Sequence, residues 1–206
     1  MMRPCRIVPL VLAVMLSWAP LASSQAAPGP APATVVGEFH DQLLAAMKRA
    51  GTENAKQRFD TLSPAVDKAF DLERMIRVAG GSQWESAEPA QRATLLAAFR
   101  RLSIATYASQ FDGYSGERFE TVNDRPGPQD TVLVQTRIVG AGDTDAGLTY
   151  VMKETKSRWL IADILLDNSV SQLAVRRSEY RRILADSGID GLVATLNRKT
   201  DELLAK

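Results

Sequence analysis

The chain has 206 residues, with 25 Lys+Arg against 24 Asp+Glu and a single histidine and a single cysteine. Near-neutral charge argues against a nucleic-acid or polybasic membrane-binding role. One His and one Cys leave too few ligands for a zinc or transition-metal site.

The N-terminus reads as an export signal. Arg3 and Arg6 flank the start of an apolar run from Ile7 to Trp18, and small residues follow at Ala22-Ser23-Ser24-Gln25-Ala26. The run is roughly a dozen residues, short of the about 20 needed to span a bilayer. Cleavage is expected after Ala26, which makes 1–26 a signal peptide and the periplasm the destination. The alternative is an uncleaved N-terminal anchor. Cys5 precedes the run, where a lipoprotein cysteine would follow it, so the mature chain carries no thiol and forms no disulfide. Without Arg3 and Arg6, 23 basic residues face 24 acidic ones. Residues 27–34 are Pro/Ala-rich and too poor in bulky apolar groups to pack, so they are expected to be a disordered tail. Residues 35–206 suit one domain.

The front half has helical periodicity. Val36, Phe39, Leu43, Leu44 and Met47 form an amphipathic stripe that ends near Gly51. A second helix is expected from about Thr52 to Thr61, and Ser63-Pro64 opens another as an N-cap followed by proline. Asp71 is a candidate N-cap before Leu72, Met75 and Ile76, and Gly80-Gly81 stops that helix. Ser86-Ala87-Glu88-Pro89 opens a longer one with Leu95, Leu96, Phe99, Leu102 and Tyr107 as its apolar stripe.

After Asp112-Gly113-Tyr114-Ser115-Gly116 the period becomes two. Strands are expected at Phe119–Asn123, Thr131–Val139, Leu148–Glu154 and Trp159–Leu166, divided by Asp124–Pro128, by Gly140–Asp143 and by Thr155–Ser157. Val132, Val134, Thr136 and Ile138 share one face, as do Leu148, Tyr150 and Met152. Two helices close the chain, from about Ser169 to Asp186 with Gly188 as C′, then Ile189 to Leu204. The expected architecture is α+β, with helices on one face of a curved four-stranded antiparallel sheet that encloses an apolar cavity.

Catalytic chemistry finds little footing. His40 is expected at the surface or at a helix end, no serine sits in a Gly-x-Ser-x-Gly turn, and no glycine-rich loop precedes a helix. The enzymatic option is Asp163, which alternates with Trp159, Ile161 and Leu165 and would be a raised-pKa base if it faced the apolar space. The alternative pairs it with Arg176 or Arg177. Arg177 falls on one helix face with Val170, Leu173, Tyr180 and Leu184, as a partner for Asp163 or Asp167, a fork for a ligand's anionic group, or a snorkelling side chain.

The ordered set Phe70-Asp71-Leu72-Glu73-Arg74-Met75, Gly80, Trp84, Gln91-Arg92, Phe99, Thr106-Tyr107-Ala108, Tyr150, Trp159, Asp163, Arg177-Ser178-Glu179-Tyr180 and Ile183-Leu184 resembles the periplasmic phospholipid-binding MlaC proteins, also called toluene-tolerance auxiliary components. The likeness runs from about Val35 to Leu204. The segments Gly113–Phe119 and Ala174–Tyr180 are similar to the hopanoid-biosynthesis-associated HpnM branch. Asp167–Ser171 departs from the usual step after the Trp-strand. The resemblance implies a lipid carrier without cofactor or catalytic residue. It would take a phospholipid or hopanoid between an inner-membrane ABC-type or RND-type transporter and an outer-membrane lipid complex. Tyr107, Phe111, Tyr114, Phe119, Val134, Tyr150, Met152 and Ile161 are the expected cavity residues, with ordinary core packing as the alternative for each, and Arg177 is the expected polar contact. Trp84 and Trp159 are assigned to structure. A cavity enzyme using Asp163 and a non-lipid periplasmic adaptor are the competing readings.

Overall fold

The computed structural model describes residues 29–140 and 146–205. The expected signal peptide therefore lies outside the described residues. Helix α1 runs Pro32–Arg49, starting inside the segment expected to be an unpacked tail. Proline at its first turn lacks only an N–H that has no intrahelical partner there. Val35, Val36, Phe39, His40, Leu43, Ala46 and Met47 are its buried line.

Helix α2, Ala55–Ala69, is opened by an Asn54/Gln57 capping box. It continues through Pro64, where the sequence suggested a new start. The Ser63 hydroxyl donates to the Phe59 carbonyl at 2.8 Å inside the helix, so it is not a cap. Helix α3, Leu72–Gly80, begins as expected at Asp71, whose carboxylate accepts from Arg74 N at 3.1 Å. The other carboxylate oxygen accepts from Arg74 Nε and from Thr155 Oγ1, so one side chain both caps the helix and ties it to the sheet. A short α4, Ser82–Ser86, precedes α5, Pro89–Gln110. Glu88 and Gln91 form the capping box of α5, and Ser86 ends the preceding helix instead of opening this one.

The sheet is antiparallel in the order β1-β2-β3-β4-β5, with β1 Arg118–Gly127, β2 Thr131–Val139, β3 Ala146–Thr155, β4 Arg158–Leu166 and β5 Val170–Ser171. It has five strands where four were expected. β1 also absorbs Asp124-Arg125-Pro126-Gly127, which read as a connector. Pro126 is tolerated because β1 is an edge strand, where a missing N–H breaks no ladder on the open side. The extra strand β5 is two residues long and pairs Leu165 with Ser171 and Leu166 with Val170.

Two bulges alter the alternation. In β1 the register shifts between Thr121 and Asn123, leaving Val122 on the outside. In β4, Met152 pairs with Ile161 but Val151 pairs with Asp163, so Ala162 is the extra residue. One inserted residue flips every later side chain to the other face. The inner face therefore carries Ile161 and then Ile164, not Asp163 and Leu165.

Helix α6 spans Gln172–Leu204 with a break at Gly188, whose φ of 64° and ψ of −164° are non-helical. The expected pair of helices is thus present as two halves meeting at that glycine. α1 lies across β1, β2 and β4, while α5 packs between α2 and α6. Phe39, Leu43, Leu62, Ile76, Leu95, Phe99, Ile104, Met152, Ile161, Leu192 and Leu196 are the large side chains at the centre. Among the described residues no helix is long and apolar enough to cross a membrane.

Candidate functional site: a groove above an aromatic interior

The sheet's inner face supplies the floor of the interior. Val134 faces Tyr150 across the β2–β3 register, and Met152 faces Ile161 across β3–β4. All four are buried, as the alternation of β2 and β3 requires. Helices α1 and α5 supply rings above them. Phe39 meets Phe70 edge-on at 5.1 Å and Tyr107 edge-on at 5.2 Å. Tyr107 stacks on Phe111 at 6.1 Å, and Phe111 lies 6.2 Å from Phe119. Tyr107, Phe111 and Phe119 are only half-buried, whereas the strand residues below them are sealed. The arrangement is a continuous aromatic wall from α1 through α5 to the first strand.

One polar pair sits inside this wall. His40 Nε2 lies 2.8 Å from the Tyr150 hydroxyl, and the imidazole stacks on Phe119 at 4.2 Å and 18°. Burial lowers the His40 pKa from 6.5 to about 4, so the ring is neutral at physiological pH. Burial also pushes the Tyr150 and Tyr107 phenols upward, which keeps both protonated. The His40–Tyr150 pair is therefore uncharged and sits among the rings without ionic cost. His40 was expected at the surface or at a helix end and is instead buried in the middle of α1. The spacing Val36, His40, Leu43, Met47 places it on the apolar stripe, and that was the available signal.

A groove of about 430 Å³ opens over this interior between α1, α2 and the start of β4. Val35, Phe39, Pro64, Ala65, Ala69 and Trp159 make it apolar; Glu38, Lys68 and Arg158 lie among its polar residues. Lys68 Nζ is 2.6 Å from Glu38 Oε2, and Arg158 Nη2 donates to the Lys68 carbonyl at 3.2 Å. Phe39 belongs both to the groove and to the aromatic wall. Trp159, assigned to structure from sequence, is half-buried and lines the groove. Trp84 is 5% exposed and packs in the core as expected.

Three expected placements are corrected. Tyr114 is 44% exposed, with the Lys48 ammonium 5.3 Å from its ring centroid, so it lies outside the interior. It follows the end of α5 in a loop and has no strand or helix to turn it inward. Arg177 is exposed, and Arg176 takes the half-buried position beside Tyr180 and Phe99. Both arginines neighbour Leu173 on the helix, and α5 lies on the Arg176 side. Asp163 neither faces the apolar interior nor pairs with an arginine. One of its oxygens accepts from Leu173 N at 2.9 Å and from Ile164 N at 2.7 Å, the other from the Ser171 hydroxyl at 2.5 Å. The Ala162 bulge turns it away from Ile161, and the start of α6 supplies the donors that a carboxylate needs. From β4 it accepts at the first turn of α6, beside the N-cap Ser171, which removes the geometric basis for a cavity base.

The fold and this site define a class: an α+β domain whose helices close one face of an antiparallel sheet over an aromatic interior with a groove at its edge. Among solved structures it resembles the phospholipid-binding protein from Ralstonia solanacearum in complex with a phospholipid. The TM-score is 0.71 at 21% identity, over 84% of this chain and 96% of that one. The family model for the MlaC protein matches residues 38–198, and the chain belongs to the MlaC family.

Proposed function

We propose that this protein is an exported lipid carrier that takes up a phospholipid through the groove beside Trp159 and holds its acyl chains against the aromatic wall. The observation that supports the reading best is the sharing of Phe39 between groove and wall. In this reading, movement of that ring connects surface and interior. Family membership and the phospholipid bound by the Ralstonia solanacearum protein agree with it. Each buried CH₂ contributes about 0.8 kcal/mol, so a 16-carbon chain gains on the order of 12 kcal/mol. That gain explains how a carrier moves a lipid through water without chemistry: it lowers the cost of leaving a membrane and makes no bond.

The destination is the periplasm, by the signal at residues 1–26. The traffic is between an inner-membrane transporter and an outer-membrane lipid complex. Mass spectrometry of the protein purified from its native periplasm and then denatured tests the reading directly. The expected result is close to one lipid per chain, and its headgroup and skeleton distinguish phospholipid from the hopanoid that the HpnM-like segments suggest. Protein that is lipid-free after mild purification, and that takes up none from vesicles, refutes it. Val134→Trp is expected to abolish loading while the helices persist by circular dichroism, because Val134 is fully buried opposite Tyr150.

A further inference from the structure

A second groove, of about 440 Å³, lies between α5 and the two halves of α6, away from Trp159. Arg176 is among the residues that line it, and its surroundings are unusual for an arginine. The guanidinium carbon is 5.5 Å from the Phe99 ring centroid, and Nη1 donates to the Tyr180 hydroxyl at 3.4 Å. Phe99 and Tyr180 are both buried. None of the ion pairs among the described residues includes Arg176. A half-buried guanidinium presents a rigid fork of N–H donors, and such a group is ordinarily retained with an anion on the fork.

The neighbours do not provide that anion. Tyr180 and Tyr107 are the acidic groups on the inner side. Burial raises the pKa of both phenols even against the pull of Arg176, so neither becomes a phenolate counterion. Glu202 is held by Arg198 Nη1 at 2.6 Å. Glu179 is exposed. Lys199, a second cation lining the groove, also enters no ion pair among the described residues. Beside these charges the lining is mixed: Leu102, Val175 and Leu203 are its apolar part, and Thr106, Gln172 and Tyr180 its neutral polar part. The volume is in the range of small-ligand sites.

We infer that this groove binds the phosphate group of a phosphorylated amphiphile, with Arg176 as the fork, Lys199 as the supporting charge, and Leu102, Val175 and Leu203 against the first methylenes of the chain. The site is separate from the aromatic interior and stands whether or not that interior carries lipid. The Phe99 ring beneath the guanidinium and the Tyr180 hydrogen bond limit its orientations, which favours two-point recognition of phosphate oxygens over a diffuse ionic contact.

Titration calorimetry with octyl phosphate, inorganic phosphate and octyltrimethylammonium, all below micelle concentration, tests it. Octyl phosphate is expected to bind at least tenfold tighter than either of the others. Arg176→Gln is expected to weaken it by about tenfold or more, and Lys199→Gln, at an exposed position where folding is not at stake, by a smaller factor. Equal affinity for octyl phosphate and inorganic phosphate overturns the proposal, because the apolar lining would then be idle. So does equal affinity for the cationic amphiphile. Unchanged octyl phosphate affinity in both variants, with each folded by circular dichroism, overturns it as well.

Discussion

Acidification should destabilise this protein in part through His40, and the amount that residue contributes follows from its environment. The imidazole is buried between Phe119 and Tyr150, and its pKa falls from 6.5 to about 4. In the unfolded chain the ring is in water and titrates near its ordinary value. Between pH 4 and pH 6.5 the unfolded state therefore binds a proton that the folded state does not. By linkage, stability then rises with pH across that window. Its contribution is complete above pH 6.5 and is lost as the pH falls toward 4, where folded His40 is protonated too. At about 1.4 kcal/mol for each tenfold difference in proton affinity, the loss is roughly 3 kcal/mol. The perturbation is His40→Gln, which keeps a polar group within reach of the Tyr150 hydroxyl but has no titration. Urea denaturation at pH 7, 6, 5 and 4 reads the unfolding free energy of both proteins. Carboxylates that titrate in the same range are common to the two and cancel in the difference. The wild-type protein should lose about 3 kcal/mol more than the variant between pH 7 and pH 4. Parallel curves across the whole range would refute the claim that His40 is desolvated in the folded state.

Three further substitutions test the local structure. Asp163→Ala removes the acceptor for Leu173 N and the Ser171 hydroxyl and should cost about 1–3 kcal/mol in thermal or urea denaturation, far above the change at an exposed carboxylate. Glycine-to-alanine exchange should change sign with position. Gly188→Ala, at φ 64° and ψ −164°, should destabilise by about 1–3 kcal/mol although nothing lies within 4 Å of the added methyl. Gly37→Ala, inside α1 and equally unobstructed, should stabilise by about 0.4–1 kcal/mol.

The local elements were largely legible in the sequence because their signals are local. The stripe from Val36 to Met47 dictates α1, Asp71 caps α3, and the alternation of Val132, Val134, Thr136 and Ile138 dictates the inner face of β2. These depend on a helix repeat, a side-chain oxygen beside free N–H groups, and a two-residue pleat. Each acts within a few residues. Gly188 belongs with them, since its break needs only a backbone that tolerates positive φ. Expectations failed where a distant partner decides. Nothing local announces that β4 takes an extra residue at Ala162, so Asp163 was placed with Ile161 when the bulge turns it toward the start of α6. Pro126 looked like a connector because its tolerance depends on β1 being an edge. Arg176 and Arg177 are neighbours with equal helical claims on the interior, and only the position of α5 chose between them. The meeting of His40 with Tyr150, residues 110 apart in the chain, is likewise a fact of assembly. Periodicity tells a residue which side of its own element it occupies. Which element lies against that side, and whether an opening remains between them, is set by how the helices close on the sheet.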